Sequence, residues 1–294
     1  GHDAATRINR ACARCHQVLF SGYPSTWEGG ARKDHSGGST INSGEARDFL
    51  LGGCASAMSC GDCHHPHSED GSAGSHDLEL ISGNKVCVRC HELQGRSLTA
   101  HTHHSATSDG SVCVRCHMPR KNVALDGTLG PYHRIGSPND RARVEHDRPL
   151  ECALCHADAD VKSLVDTMEH WWGKTFDRGA LVALYGRLDA KVLRATLTLG
   201  KPHEQAVAIF TLGMKRDRAS AAAIGAQTIS SIPLVRYYAR DALARILEEP
   251  SPIDLHQDNK SIRAATDAWL RAHAIDPERV GPIAGAKDDG DAEE

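Results

Sequence analysis

From about residue 161 onward, apolar residues recur at intervals of three and four. The stretches "VKSLVDTMEHWWGKTF", "HEQAVAIFTLGMKR", "RASAAAIGAQTISS", "PLVRYYARDALARILEE" and "SIRAATDAWLRAHAI" all carry this period, which gathers their apolar positions on one face of a helix. Pro202, Pro233, Pro250 and Pro252 fall between these stretches or at their starts, where a helix tolerates proline. Paired helices of this length predict a HEAT-like α-helical repeat domain over residues 161–280. The tail 281–294 ends "GAKDDGDAEE", is acidic and has no apolar anchor, so it is expected to be disordered.

Residues 1–160 show no such period. They are rich in Gly, Ser, His and Cys, and "EGGARKDHSGGSTINSG" and "HSEDGSAGSHD" read as loops from their turn residues. Short helices are expected at "GEARDFLLGGC" and just after each of the cysteine motifs described next. The fold class expected is therefore mainly α with extensive irregular loops.

The pattern Cys-x-x-Cys-His occurs five times: Cys12, Cys15, His16; Cys60, Cys63, His64; Cys87, Cys90, His91; Cys113, Cys116, His117; and Cys152, Cys155, His156. It uses ten of the eleven cysteines, leaving Cys54, which reads as a small buried hydrophobe. Zinc would pair Cys-x-x-Cys units into four-ligand sites, with no need for a histidine behind every second cysteine. A thioredoxin-like dithiol would occur once, near a βαβ pattern that is not seen. Covalent haem explains every position: the two thiols form thioethers with the vinyl groups and the adjacent histidine ligates the iron. Residues 1–160 are therefore expected to wrap five c-type haems.

Composition sharpens this picture. Aromatic residues are 4% of the chain, so porphyrins would have to supply much of the apolar bulk of the first part. The formal charge of −4, with no basic stripe, gives no nucleic-acid footprint. No apolar run reaches the ~18 residues of a membrane span. The chain starts "GHDAATRINR", with no secretory leader. Because covalent haem attachment takes place outside the bacterial cytoplasm, a mature periplasmic or extracellular chain with its signal peptide removed is expected.

The pieces "CVRCHMPRK", "PYHRIGSPND", "RPLECALCH" and "LVDTMEHWWGK" follow one another in order. With "CGDCHHPH" and "AHTHHSATSDGSVCVRCHMP", they make the chain resemble bacterial multihaem c-type cytochromes. The closest resemblance is to the group in which a "CHMP" site precedes an "HRIxSP" turn, a further Cys-x-x-Cys-His and a helical repeat domain. The resemblance spans most of residues 35–175 and implies closely packed haems, mostly with two histidine ligands. No Cys-x-x-Cys-Lys occurs, which counts against a nitrite-reductase-type site.

Position and resemblance together nominate the distal ligands. Nineteen histidines leave fourteen beyond the five motifs, against four methionines. His35, His67 and His133 are the first candidates. "HTHH" adds His101, His103 and His104, nine to twelve residues before Cys113, of which one or two are expected to ligate, with His101 and His104 preferred. His2, His76 and His146 stand in reserve. Trp171 and Trp172 are expected to pack the first C-terminal helix onto the last haem. The function expected is single-electron transfer, with no catalytic residue, to redox partner proteins such as a membrane-bound cytochrome or outer-membrane complex. The alternatives are a subunit of an extracellular haem-stacked filament, and a multihaem reductase of a small nitrogen or sulfur compound at one open haem.

Overall fold

The computed structural model describes residues 2–16, 25–30, 44–64, 78, 80–124 and 127–279. The chain is mainly α, with 59% helix and 4% strand, as the periodicity predicts. It forms two compact units: residues 1–146 with 170–174, and residues 147–169 with 175–294. Composition changes near residue 160, but the boundary runs after His146, so the fifth cysteine motif belongs to the second unit. The tail 281–294 lies outside the described residues. No described helix is long and apolar enough to cross a membrane.

The first unit contains α1 (His2–Cys12), α2 (Glu45–Leu51), α3 (Lys85–Val88), α4 (Glu92–Arg96), α5 (Leu98–Thr102), α6 (Cys113–His117) and α7 (Arg141–His146). Helix α2 is the one expected at "GEARDFLLGGC", and α4 follows the third motif as expected. The fourth motif is followed instead by an antiparallel hairpin, β1 (Arg120–Val123) and β2 (Leu129–Pro131). Gly127, at φ 78°, turns this hairpin, a conformation that suits glycine.

Behind the hairpin the core is largely polar. Lys121 Nζ lies 4.4 Å from the centroid of the Trp27 ring and 4.7 Å from that of Tyr132. Asn122 accepts from Trp27 Nε1 at 3.3 Å and donates to Asp48 at 3.2 Å. Glu28 accepts from Arg143 Nε at 3.1 Å, from Tyr132 at 3.2 Å, and from Arg134. Buried charges hold only when paired, and these are.

The second unit contains α9 (Arg178–Tyr185), α10 (Val192–Leu199), α11 (Pro202–Met214), α12 (Ala221–Ala226), α13 (Pro233–Leu247) and α14 (Asn259–Ala272). Helix α8 (Val161–Trp172) gives its residues through Glu169 to this unit and its last three to the first. Five of these seven helices coincide with the periodic stretches. Helices α9 and α10, eight residues each, fall outside those stretches. Their ends are nonetheless marked: Asp177 caps α9 through the N–H groups of Gly179 and Ala180, at 2.7 and 3.2 Å. Helices α11 and α13 approach closely at Gly213, where a β-carbon would stand 2.8 Å from Ala242 Cβ. Val207, Ile209, Leu212, Tyr238, Leu243 and Ile246 are buried around that crossing.

A surface cluster ties α8 to α9. Arg178 bonds both oxygens of Glu169, at 2.8 and 2.7 Å, and Asp166 at 2.9 Å. The bond from Lys162, with Arg178 beside it, holds the Asp166 carboxyl below its ordinary value, and Arg178 does the same to Glu169. Carboxylates lowered in the folded state stabilise it above their unfolded values near 4, and that stabilisation is lost as pH falls through the lowered folded values. Arg178→Ala should therefore cost about 0.5–1 kcal/mol at neutral pH and move the acid unfolding midpoint of the second unit upward. An acid titration followed by circular dichroism checks this; an unmoved midpoint refutes it.

Candidate functional site

All five cysteine motifs adopt the same tight helical turn. The histidine N–H donates to the carbonyl of the first cysteine at 3.0 Å for His16, 2.9 Å for His64, 3.0 Å for His91 and 2.9 Å for His156. The fourth motif is itself helix α6, Cys113–His117. One turn places residues three and four apart on the same face, so each pair of thiols and its histidine are presented together. None of the ten cysteines is fully buried or joined in a disulfide.

Burial raises several of the motif thiols. Burial, with Cys12 alongside, pushes Cys60 up to about 11, and burial raises Cys63 to about 11. A hydrogen bond with Cys113 and burial also raise Cys87. Reactive dithiols show the opposite shift, and the Cys113 thiol does lie below its ordinary value, held there by the same bond with Cys87. Cys54 is half-buried, and burial raises its thiol too, consistent with an inert side chain. A tetrahedral zinc site needs four ligands at one point. Among the described residues no three His, Cys, Asp or Glu side chains converge in that way.

Histidines do come together in pairs. His101 and His117 lie with ring centroids 6.0 Å apart and planes 2° from parallel. His64 and His133 lie 6.2 Å apart at 21°. Two imidazoles on opposite sides of one metal ion, each bonded at about 2.0 Å, have centroids about 6 Å apart. Each pair joins the histidine of a motif to one of the histidines nominated as distal ligands.

The "HRIGSP" turn serves both pairs. His133 presents its ring to His64 and directs Nδ1 at the Pro131 carbonyl, 3.1 Å away. Gly136, three residues on, directs its carbonyl at His117 Nδ1, 2.9 Å away, and its N–H at the His117 carbonyl, 3.2 Å away. A β-carbon at Gly136 would meet the Arg143 guanidinium at 2.7 Å, so a larger residue there would have to displace that side chain. An Nδ1–H held by a carbonyl leaves the lone pair on Nε2, the usual arrangement of a metal-binding histidine. Burial pushes His133 below its ordinary value, and burial with His103 and His91 does the same to His101. Both are thereby kept in the neutral form that a metal takes.

The rest of "HTHH" is occupied differently. His103 stacks on Trp171, with centroids 4.4 Å apart and planes 8° from parallel, and Trp172 Nε1 donates to the His101 carbonyl at 3.3 Å. Trp171 and Trp172 thus belong to the first unit and pack against His101 and His103. The sequence places them near the last motif; the structure sets them on this earlier segment. His104 directs Nδ1 at the Thr102 carbonyl, 2.6 Å away, and packs over Gly110. Of the remaining candidates, His35, His67 and His76 lie outside the described residues, as does the side chain of His2. His146 is exposed and rests against Gly29.

The surroundings have room and apolar surface for a large cofactor. An open hollow of about 530 Å³ beside the third motif is lined by Ile81, Val88 and Leu98, among others. A second of about 440 Å³ beside Cys155 is more polar, lined by Asp158, Lys215, Arg216, Asp217 and Arg218 as well as Leu212. Ile8, Leu50, Leu80 and Leu93 stand exposed close to motifs in the chain. In the second unit, Arg148 bonds Glu204 at 3.1 Å and Leu150 donates to the Tyr185 hydroxyl at 2.9 Å, which seats the fifth motif on the helices. Thiol spacing, histidine pairing, tautomers and apolar surface all fit covalently held haem. No family model, curated protein or solved structure matches the chain.

Proposed function

We propose that the chain is an extracytoplasmic electron-transfer protein passing single electrons through five covalently bound c-type haems. The observation that carries this reading is the common turn of the five motifs, two of them facing a second histidine at a one-metal separation. Cys12, Cys15, Cys60, Cys63, Cys87, Cys90, Cys113, Cys116, Cys152 and Cys155 would hold the group. His16, His64, His91, His117 and His156 would be proximal ligands, with His133 distal at the second site and His101 at the fourth. The bound group supplies one-electron exchange at iron. The Pro131 and Gly136 carbonyls would orient the His133 and His117 rings, burial would favour the neutral form of His133 and His101, and Trp172 would hold the His101 backbone. The second unit, read as a HEAT-like array, would offer a docking face to a redox partner.

A haemochrome assay on the purified holoprotein should return five haems per chain; two or fewer overturns the reading. Quantitative EPR should show low-spin ferric iron throughout, indifferent to nitrite, hydroxylamine or cyanide. A high-spin iron that shifts with these ligands makes the chain a multihaem reductase, and filaments in electron micrographs make it a conductive subunit.

A further inference from the structure

Asn9 and Asn84 each stand three residues before the first cysteine of a motif, in "NRACARCH" and "NKVCVRCH". Both are buried. Asn9 Oδ1 accepts the Cys60 N–H at 3.0 Å, and its Nδ2 donates to the Met58 carbonyl at 3.0 Å. Asn84 Oδ1 accepts the Cys113 N–H at 2.9 Å, and its Nδ2 donates to the Ser111 carbonyl at 2.8 Å. Met58 and Ser111 both lie two residues before the cysteine whose N–H is taken. The same amide therefore grips the next motif at the same two backbone atoms, once from motif one to motif two and once from motif three to motif four.

The first N–H groups of a helical turn have no partner within it, and Asn commonly satisfies one from the position just ahead. Here the cap for motifs two and four comes from the motif before. The thiols follow: Cys12 and Cys60 are within hydrogen-bonding reach, as are Cys87 and Cys113. Between the two pairs, Arg89 from inside motif three donates to Asp62 from inside motif two at 2.6 Å. We infer that Asn9 and Asn84 are positioning residues that lock the first four attachment motifs into two equivalent pairs, which Asp62 and Arg89 join in chain order. This rests on reading the motifs as haem sites, since the spacing thus set is that between neighbouring haems.

The test is hydrogen exchange resolved to single amides in the holoprotein, with Soret circular dichroism on the same samples. In the unaltered protein the Cys60 and Cys113 amides should be protected although each opens a turn, and the Soret band should be split by close haem pairs. Asn84→Ala should accelerate exchange at Cys113 by about tenfold or more and leave Cys60 slow, while Asn9→Ala should do the reverse. Each variant should also lose part of the Soret splitting at an unchanged haem count. Fast exchange at either amide in the unaltered protein overturns the inference, and so does equal acceleration of both amides by either variant. Should a variant fail to accumulate, protection in the unaltered protein decides. A haem count of two or fewer with both amides protected would sink the haem reading and keep the clamp.

Discussion

Produced without covalent haem, the chain should keep its second unit folded and lose order in the first. Deuterium exchange should be slow along α11 and α13 and fast across residues 2–146. The expectation follows from where the apolar residues are buried. Among the described residues most lie in the second unit, largely in α8 to α14, while the first has fewer, Trp27, Phe49, Val112 and Tyr132 among them, around a polar centre. Around the motifs, Ile8, Leu50, Leu80 and Leu93 remain exposed. Covering each fully is worth roughly 1.5–3 kcal/mol. Several together match the ~5–15 kcal/mol that stabilises a whole domain. An apo chain equally protected in both units would show that the first unit needs no cofactor, and would remove the main reason for its polar interior.

Glu204→Ala should cost the second unit about 3–5 kcal/mol, which corresponds to a fall of roughly 10–20 °C in its unfolding midpoint. Glu204 is completely buried. Its carboxylate takes the Arg148 N–H and Nε at 3.1 Å each, and the Lys201 N–H at 2.7 Å. Burial raises its pKa even with Arg148 beside it, so desolvation is incompletely offset. Removing the carboxylate would leave a buried guanidinium whose other described bond is to the Leu184 carbonyl at 2.6 Å. Pairing the change with Arg148→Met should recover much of the loss, because the cost lies in the orphaned charge. Thermal unfolding of both variants decides, and a loss below about 1 kcal/mol for the single change would mean that water reaches the pair.

What could be read from the sequence was what is local. A helix period and the three-residue offset of two thiols are contained within one turn, so the longer helices and all five motifs were visible. The pairings were not, because His64 with His133 and His101 with His117 are set by chain folding. Their members could be named as candidates, but not matched. The compact units divide after His146 rather than where the cysteines stop, because Arg148 and Leu150 are already anchored to Glu204 and Tyr185. The asparagine clamps were missed outright, though the recurrence of Asn-x-x-Cys-x-Arg-Cys-His at residues 9–16 and 84–91 was a signal that could have found them.

That recurrence has a historical consequence. Two clamps built at identical offsets are most simply explained by one ancestral two-motif segment that was copied in tandem. The fifth motif, seated on the helices and held by Arg148 and Tyr185, would then descend from a separate acquisition. The cysteine pairs of the first such segment begin forty-eight residues apart and those of the second twenty-six, so the asparagine contact is the same across connections of very different length.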